Sequence, residues 1–325
     1  MIRVTLTFVF SCFTLNALLI YKCQADTSTV KLVQFDLNSI PESYFSKTLN
    51  SAKQLILNKE WEKAETILSN AIKNTDLRSP LQKAYILQGL LLKETGNSTE
   101  AIKAYDRYLR LHAANSDVLF LKAQAQALAG ASDKAIESLE EASWFDKFNL
   151  IHPSDVYMQI SLLYLSQDNK DKAQKYLTKA LSKKPDSINA LLELARIELA
   201  KGNKVESVSY ARKALNKDNE NQSAKLLLAK AMLTKANRIH GEKEINEAEE
   251  LAKSVLEQTQ SESLLIEAAS LYAKAKIESN KLDEAKTVLT KYMKKFPNNL
   301  ELRTLDKQLN IEQQIIASSS SEQSS

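Results

Sequence analysis

The sequence predicts an all-helical protein built as an array of about seven helical hairpins. The 325 residues include only five glycines and five prolines, and this shortage of turn formers in a chain rich in Ala, Leu, Lys and Glu favours helix. A small residue also recurs along the chain, with spacings of 37, 34, 38, 34, 41 and 37 residues, at Ala64, Ala101, Ala135, Ala173, Ser207, Ala248 and Ala285. A period close to 34 residues is typical of a repeat array.

The first 25 residues have the composition of a secretory leader. Arg3 precedes an apolar run over residues 4–20, and small residues precede a cleavage point after Ala25. Both cysteines, Cys12 and Cys23, would leave with the leader, so the mature chain would contain no disulfide, thiol nucleophile or cysteine metal site. Two alternatives stay open: a retained leader would anchor the chain in a membrane, and a lipid on Cys12 would do the same.

Residues 26–44 lack a helical period and are predicted to form a linker or a short extended lead. Each unit after that contains two apolar-periodic stretches separated by a short polar break, which predicts one hairpin per unit. Asn97 with Glu100, Asn203 with Glu206, and Ser79 before Pro80 are helix-start signals. The predicted units are residues 45–78, 82–115, 116–149, 154–187, 188–221, 222–262 and 266–299.

The order of large, small and proline positions within a unit resembles the tetratricopeptide repeat (TPR) family. Residues 154–187 match its pattern best, through Tyr157, Ile160, Ser161, Tyr164, Ala173, Leu177, Ala180 and Pro185. The resemblance implies a right-handed superhelix of about seven TPR hairpins, in which small residues lie where the two helices of a unit cross.

The remaining segments follow from the same periodicity. Residues 300–314 are predicted to form a capping helix, and residues 315–325 a disordered tail. The longest insertion, around residues 235–246, predicts either a longer projecting hairpin or a tolerated loop. Trp144, Phe145 and Phe148 are predicted either to fill a wide junction between units three and four or to form an exposed ledge for a ligand.

The sequence offers no catalytic constellation. His112, His152 and His240 are far apart in the chain, and no HExxH, P-loop, GxSxG or GxGxxG motif occurs. A net charge of +4 in scattered lysines favours solvated helix faces over a nucleic-acid surface. We therefore predict a protein that is not an enzyme and binds no metal, cofactor or nucleic acid.

The resemblance implies that positions 2, 5, 9 and 12 of each unit line a concave groove. We expect a partner segment with apolar anchors and acidic flanks to bind there. The alternative is that several position-5 side chains are simply buried against the second helix. The predicted groove residues are Phe120, Gln124, Met158, Leu162, Leu192, Arg196, Leu226 and Lys230.

The function predicted from these features is a non-catalytic protein-binding scaffold or adaptor of the cell envelope. With a bacterial host assumed, the leader predicts export to the periplasm or envelope. The expected partners are other proteins or peptides, and membrane contact is expected only if the leader is retained or lipidated. The alternative is an accessory or regulatory subunit of an envelope enzyme or of an exopolysaccharide or secretion system. The sequence leaves the oligomeric state open.

Overall fold

The computed structural model describes residues 31–74, 78–111, 115–234 and 241–322, and within them it contains fifteen α-helices and no strand. Fourteen helices pair into seven consecutive hairpins, which confirms the predicted fold class. The hairpins are α1 (Lys47–Leu57) with α2 (Trp61–Lys73), α3 (Arg78–Glu94) with α4 (Ser98–Leu111), α5 (Ser116–Leu128) with α6 (Ser132–Phe145), α7 (Pro153–Ser166) with α8 (Lys170–Lys183), α9 (Ile188–Lys201) with α10 (Lys204–Lys217), α11 (Gln222–Leu233) with α12 (Glu242–Gln258), and α13 (Glu262–Glu278) with α14 (Leu282–Lys295).

Small residues allow the two helices of a hairpin to approach each other closely. All six alanines of the recurring small position are fully buried. Ser207, which replaces alanine in the fifth unit, is also buried, and its hydroxyl donates a hydrogen bond to the Ala195 carbonyl at 2.8 Å. Because that hydroxyl has a partner, serine fits the same close crossing without leaving an unpaired buried polar group.

Large side chains fill the space between neighbouring hairpins. Leu68, Tyr105, Leu139 and Leu177 on the second helices are fully buried. They belong to apolar clusters that extend over several units, so each hairpin buries its apolar face against the next one.

Short turns with one left-handed residue join the helices within a hairpin. Gly96, Gly130 and Gly202 have positive φ in three of these turns, and Lys59, Asp168 and Asn280 have positive φ in three others. One predicted helix-start signal is misplaced, since Ser79 lies inside α3, which begins at Arg78. The Asn203 signal gives the right start, because α10 begins at Lys204. However, the Asn203 side chain donates to Glu198 Oε2 at 2.7 Å instead of accepting a capping hydrogen bond.

The final helix covers the end of the array. α15 (Leu300–Glu322) buries Leu302 and Leu309 against α13 and α14. It continues past the predicted end at residue 314, so the prediction of a disordered tail is wrong for residues 315–322. Neither glycine nor proline follows Pro297 in the sequence, and therefore no strong helix breaker stops α15 earlier.

Several predicted features lie wholly or partly outside the described residues: the leader at 1–25, the first five residues of the linker at 26–44, the insertion at 235–246, the histidines His112 and His240, and the last three residues of the tail. Only residues 241–246 of the insertion are described, and α12 begins among them at Glu242. In the described part of the chain, no helix combines the length and the apolarity that a membrane span requires.

Candidate functional site

First helices of neighbouring hairpins contact each other toward both ends of the array. α1 contacts α3, α3 contacts α5, and α11 contacts both α9 and α13. The resemblance implies that the side of the first helices is the concave one. We call the face of the odd-numbered helices from α1 to α13 the groove.

Local sequence signals start the groove helices at fixed points. The Asn115 side chain accepts a hydrogen bond from the Val118 N–H at the start of α5, and Ser187 accepts one from Ala190 at the start of α9. α7 begins at Pro153, whose φ suits a first helical position. Side chains that lie one to two turns after each of these starting points then face the groove.

Part of the chain itself lies in the groove. Residues 31–36 contain no helix, strand or turn, and the Asp36 backbone is extended, with φ −87° and ψ 104°. The 3₁₀ turns Leu37–Ser39 and Glu42–Tyr44 follow, and we call residues 31–45 the N-terminal segment. The helices that bind it through the hydrogen bonds and the ion pair described below are odd-numbered. The stretch that the sequence predicts as a linker or extended lead is therefore packed against the array.

Two glutamine side chains bind the main chain of this segment. The Gln159 carbonyl oxygen accepts from the Val33 N–H at 2.5 Å, and the Gln159 amide nitrogen donates to the Lys31 carbonyl at 3.0 Å. The Gln124 amide donates to the Val33 carbonyl at 2.6 Å. Gln124 lies on α5 and Gln159 on α7, so the extended stretch crosses units three and four.

Charged side chains bind the rest of the segment. The Lys53 ammonium on α1 donates to the Ile40 carbonyl at 2.6 Å, and Lys83 on α3 donates to the Tyr44 carbonyl. At the other end, the Lys31 ammonium lies 3.7 Å from Glu193 Oε1 on α9. The segment thus runs from unit five back to unit one, against the order of the units in the sequence.

Apolar side chains of the segment pack on the floor of the groove. Leu32, Val33 and Phe35 are half-buried against the apolar cluster of units one to four, whereas Leu37 and Ile40 are buried within it. Gln34 and Lys31 are exposed. The groove therefore holds the segment through main-chain hydrogen bonds and a short apolar strip.

The eight predicted groove residues divide into two sets. Arg196 and Lys230 are accessible at the surface of the groove. The other six are buried, so the apolar ones pack in the floor and do not stand free as anchors: Phe120, Gln124, Met158, Leu162, Leu192 and Leu226. Among these six, Gln124 contacts the N-terminal segment through its hydrogen bond to Val33.

The groove is open beyond the segment, over units five to seven. A depression of about 350 Å³ lies between α9, α11 and α13. Arg196 Nη1 is 3.1 Å from Glu193 Oε1, and Lys230 Nζ is 4.0 Å from Glu267 Oε1, so charges of both signs border it. Its lining residues are Arg196, Leu199, Ala200, Ser223, Leu227, Lys230 and Glu267.

Burial changes two pKa values near the covered half of the groove. Burial lowers the pKa of the Lys93 ammonium, which lies 3.3 Å from Gln124 Oε1 and 3.5 Å from Glu94. Burial raises the pKa of the Asp117 carboxyl, although three main-chain N–H groups that donate to it oppose the rise. Those donors belong to Asn149, Leu150 and Ile151, so Asp117 fixes the connection between units three and four.

The aromatic cluster after α6 divides between its two predicted roles. Phe148 packs against the apolar cluster of the junction. Trp144 is 78 % exposed and makes an edge contact with the Phe145 ring, with centroids 4.9 Å apart. Phe148 thus fills the junction, whereas Trp144 stands in solvent.

The described residues contain no group of three or more His, Cys, Asp or Glu side chains that could hold a metal ion. His152 has a structural role, since its Nδ1 accepts a hydrogen bond from the Ser154 N–H at the start of α7.

The predicted groove residues leave out several that bind the N-terminal segment, including Lys83, Gln159 and Glu193. Gln159 and Glu193 occupy position 6 of their units, outside the positions that the resemblance marks as facing the groove. The available signal was polarity, because Gln159 is a lone amide within the apolar run of α7. A polar residue at a buried helix position needs a partner.

Comparisons with known proteins agree with this architecture. Tetratricopeptide repeat family models match residues 86–144, 164–230 and 264–299. No curated protein matches the chain.

Solved structures with a similar fold have low sequence identity to this chain, so they show the fold alone. PilF from Pseudomonas aeruginosa is 17 % identical with a TM-score of 0.56, over 71 % of this chain and 99 % of its own. A tetratricopeptide repeat protein from Parabacteroides merdae is 17 % identical with a TM-score of 0.54, over 83 % and 99 %. PilW, described as a type IV pilus biogenesis factor, is 14 % identical with a TM-score of 0.53, over 67 % and 96 %. From its repeated hairpins, its small-residue crossings and these matches, the chain belongs to the tetratricopeptide repeat family.

Proposed function

We propose that this protein is a non-catalytic scaffold or adaptor of the cell envelope that binds segments of other proteins in its groove. The observation that carries the proposal is the extended stretch 31–36, which Gln124 and Gln159 bind through its main chain. A surface that binds one extended segment by its main chain has the chemistry to bind others.

The open half of the groove is the proposed partner site. The depression between α9, α11 and α13 combines apolar lining from Leu199 and Leu227 with the charged groups of Arg196 and Lys230. This mixture suits a segment with an apolar anchor and an acidic neighbour. Phe120 and Leu226 are buried, and in this proposal they only form the floor of the groove.

The envelope location rests on the leader at residues 1–25, which predicts export. PilW shows that a type IV pilus biogenesis factor can have this fold, but its identity of 14 % carries no function to this chain. The intact mass of the protein from its host tests the leader, because cleavage after Ala25 would remove residues 1–25.

The partner site is tested by in-cell crosslinking and mass spectrometry of the tagged protein. We expect the double variant Arg196→Ala, Lys230→Ala to lose at least one crosslinked protein, because both charged groups border the depression. The matched control is Lys175→Ala, Lys217→Ala, which removes two exposed lysines from the second helices α8 and α10.

Unchanged crosslinks in the Arg196, Lys230 variant, with circular dichroism showing an intact fold, would contradict the proposed site. Loss of the same proteins in the control would show that total charge matters and the groove does not. An accessory role beside an envelope enzyme stays an alternative prediction, and the identity of the crosslinked proteins distinguishes the two. Catalytic turnover by the purified protein would contradict a non-catalytic role.

A further inference from the structure

The two groove glutamines bind the extended stretch as a neighbouring β-strand would. In an extended chain the carbonyl of one residue and the N–H of the residue two further on project from the same edge. The Gln159 amide engages this pair, at Lys31 and Val33, with its donor and its acceptor together. Gln124 adds a third bond on the same edge, to the Val33 carbonyl.

The site is built into the array. Gln159 is 0 % and Gln124 is 1 % exposed, and both lie on helices whose neighbouring residues are largely apolar. An amide in such surroundings loses free energy unless its donor and acceptor are both paired. The main chain of an extended peptide provides both partners, whatever its side chains are.

The side chains around these bonds select a pattern. Leu32, Val33 and Phe35 are half-buried on the apolar floor. Gln34 is exposed, so the site does not restrict the side chain at that position. Lys31 faces Glu193, whose side chain is only 8 % exposed and holds a negative charge at the end of the site. The pattern is a basic residue, two aliphatic residues, an unrestricted residue and an aromatic residue.

Residues 31–36 are held by few contacts of their own. Three main-chain hydrogen bonds, the ion pair of Lys31 with Glu193 and three half-buried side chains hold this stretch, and its covalent link to α1 keeps it close to the site. Such a link raises the effective concentration of a segment without adding a contact. A separate peptide of the same pattern would compete with the linked stretch for one site.

We propose that α5, α7 and α9 form a peptide site for an extended segment with the pattern of residues 31–35, and that the chain's own stretch occupies this site until a partner with such a segment displaces it. The inference rests on the proposed function, since it names the class of segment that a scaffold with this groove takes. It assigns Gln124 and Gln159 to main-chain binding and Glu193 to the choice of a basic first residue.

The probe is a labelled peptide of residues 31–36, acetylated and amidated at its ends, titrated against the full chain by fluorescence anisotropy. Val33→Asp in the protein places a carboxylate on the apolar floor and should release the linked stretch. Gln34→Asp makes the same charge change at an exposed position of that stretch. We expect the peptide to bind the Val33→Asp protein at least tenfold more tightly than the wild type or the Gln34→Asp protein.

Two further measurements test the binding mode. A peptide with Val33→Pro lacks the N–H that donates a hydrogen bond to Gln159, so we expect its affinity for the protein to fall tenfold or more. Adding Gln159→Leu to the Val33→Asp protein should weaken the unmodified peptide similarly. Equal affinity of the peptide for the wild type and for Val33→Asp overturns the proposed occupancy. Equal binding of the Val33→Pro peptide overturns the main-chain mode.

A second copy of this chain is another possible occupant. A concentration-dependent dimer in the wild type that Val33→Asp dissolves would mean that the stretch is exchanged between copies, which overturns the intramolecular arrangement. The peptide result is separable from the proposed function. The inference fails if the peptide does not bind the Val33→Asp protein. The proposed scaffold role still stands in that case, provided that the Arg196→Ala, Lys230→Ala variant loses crosslinked proteins.

Discussion

Gly89 shows how one residue controls the distance between two helices. A methyl group at this position would lie 2.4 Å from Cε1 of Tyr105, closer than nonbonded carbons approach. Tyr105 is fully buried, so a shift of its ring would have to displace packed neighbours. Only a residue without a side chain therefore fits this crossing of α3 and α4.

We predict that Gly89→Ala destabilises the protein by about 1–3 kcal/mol, because overpacking at a buried contact costs more than the gain in helix propensity. Urea denaturation followed by circular dichroism measures the change. If helix propensity alone decided the outcome, the same substitution would stabilise the protein by up to about 1 kcal/mol. The sign of the change therefore distinguishes the two explanations.

The control for this prediction alters the other side of the contact. With Tyr105→Leu already present, the ring edge that meets the new methyl group is gone. Gly89→Ala should then cost no further stability. An equal loss in both backgrounds would show that the helix crossing, and not the tyrosine ring, rejects alanine.

At the scale of an element, α15 replaces the missing next unit. Leu302 and Leu309 are 0 % exposed and cover the apolar cluster of α13 and α14, whereas Leu300 on the same helix is 78 % exposed. A terminal unit of a repeat array must cover its last apolar face. α15 does so with one side of a single helix.

We predict that Leu302→Ala lowers the free energy of unfolding by about 2–5 kcal/mol, because it leaves a cavity at the end of the array. Leu300→Ala makes the same chemical change on the exposed side and should alter it by less than about 0.5 kcal/mol. Denaturant unfolding of the two variants measures the difference. Similar losses for both would mean that helix propensity, rather than the buried cluster, determines the contribution of α15.

The helices were predictable from sequence, and the N-terminal segment was not. Apolar periodicity is a local signal, so it predicted about seven hairpins and a small residue where the helices of a unit cross. Residues 31–36 have no such period, and their structure comes from Gln124 and Gln159, about a hundred residues away. Contacts of this kind depend on the assembled groove, which no local pattern contains.

The same reasoning explains the outcome for the groove residues. The resemblance included Gln124, which binds the N-terminal segment, and Arg196 and Lys230, which border the depression. It could not say that Met158 and Leu162 are buried, because the tightness of packing between units depends on every neighbour. It also could not show which half of the groove the chain itself covers.

At the scale of the whole molecule, the two halves of the array are held differently. The N-terminal segment contacts α1, α3, α5, α7 and α9, so it links units one to five directly. Units six and seven depend on their neighbours and on α15. A repeat array without such a link opens from its ends.

We predict that Val33→Asp accelerates hydrogen exchange in α5 and α7 and leaves α11 and α13 unchanged, because only the first pair lies beneath the extended stretch. Hydrogen–deuterium exchange with mass spectrometry measures the rates, and Gln34→Asp serves as the control. Faster exchange throughout the array would instead indicate a general loss of stability. No change in α5 and α7 would show that the segment does not stabilise the helices beneath it.

The N-terminal segment also sets the order in which the fold can be completed. Each hairpin contacts mainly its neighbours, so the array has low contact order and can form unit by unit as the ribosome delivers the chain. Val33, in contrast, pairs with a side chain 126 residues later, so it cannot dock before α7 has been synthesised and folded. The N-terminal segment is thus synthesised before every hairpin of the array but is among the last parts of the fold to reach its place.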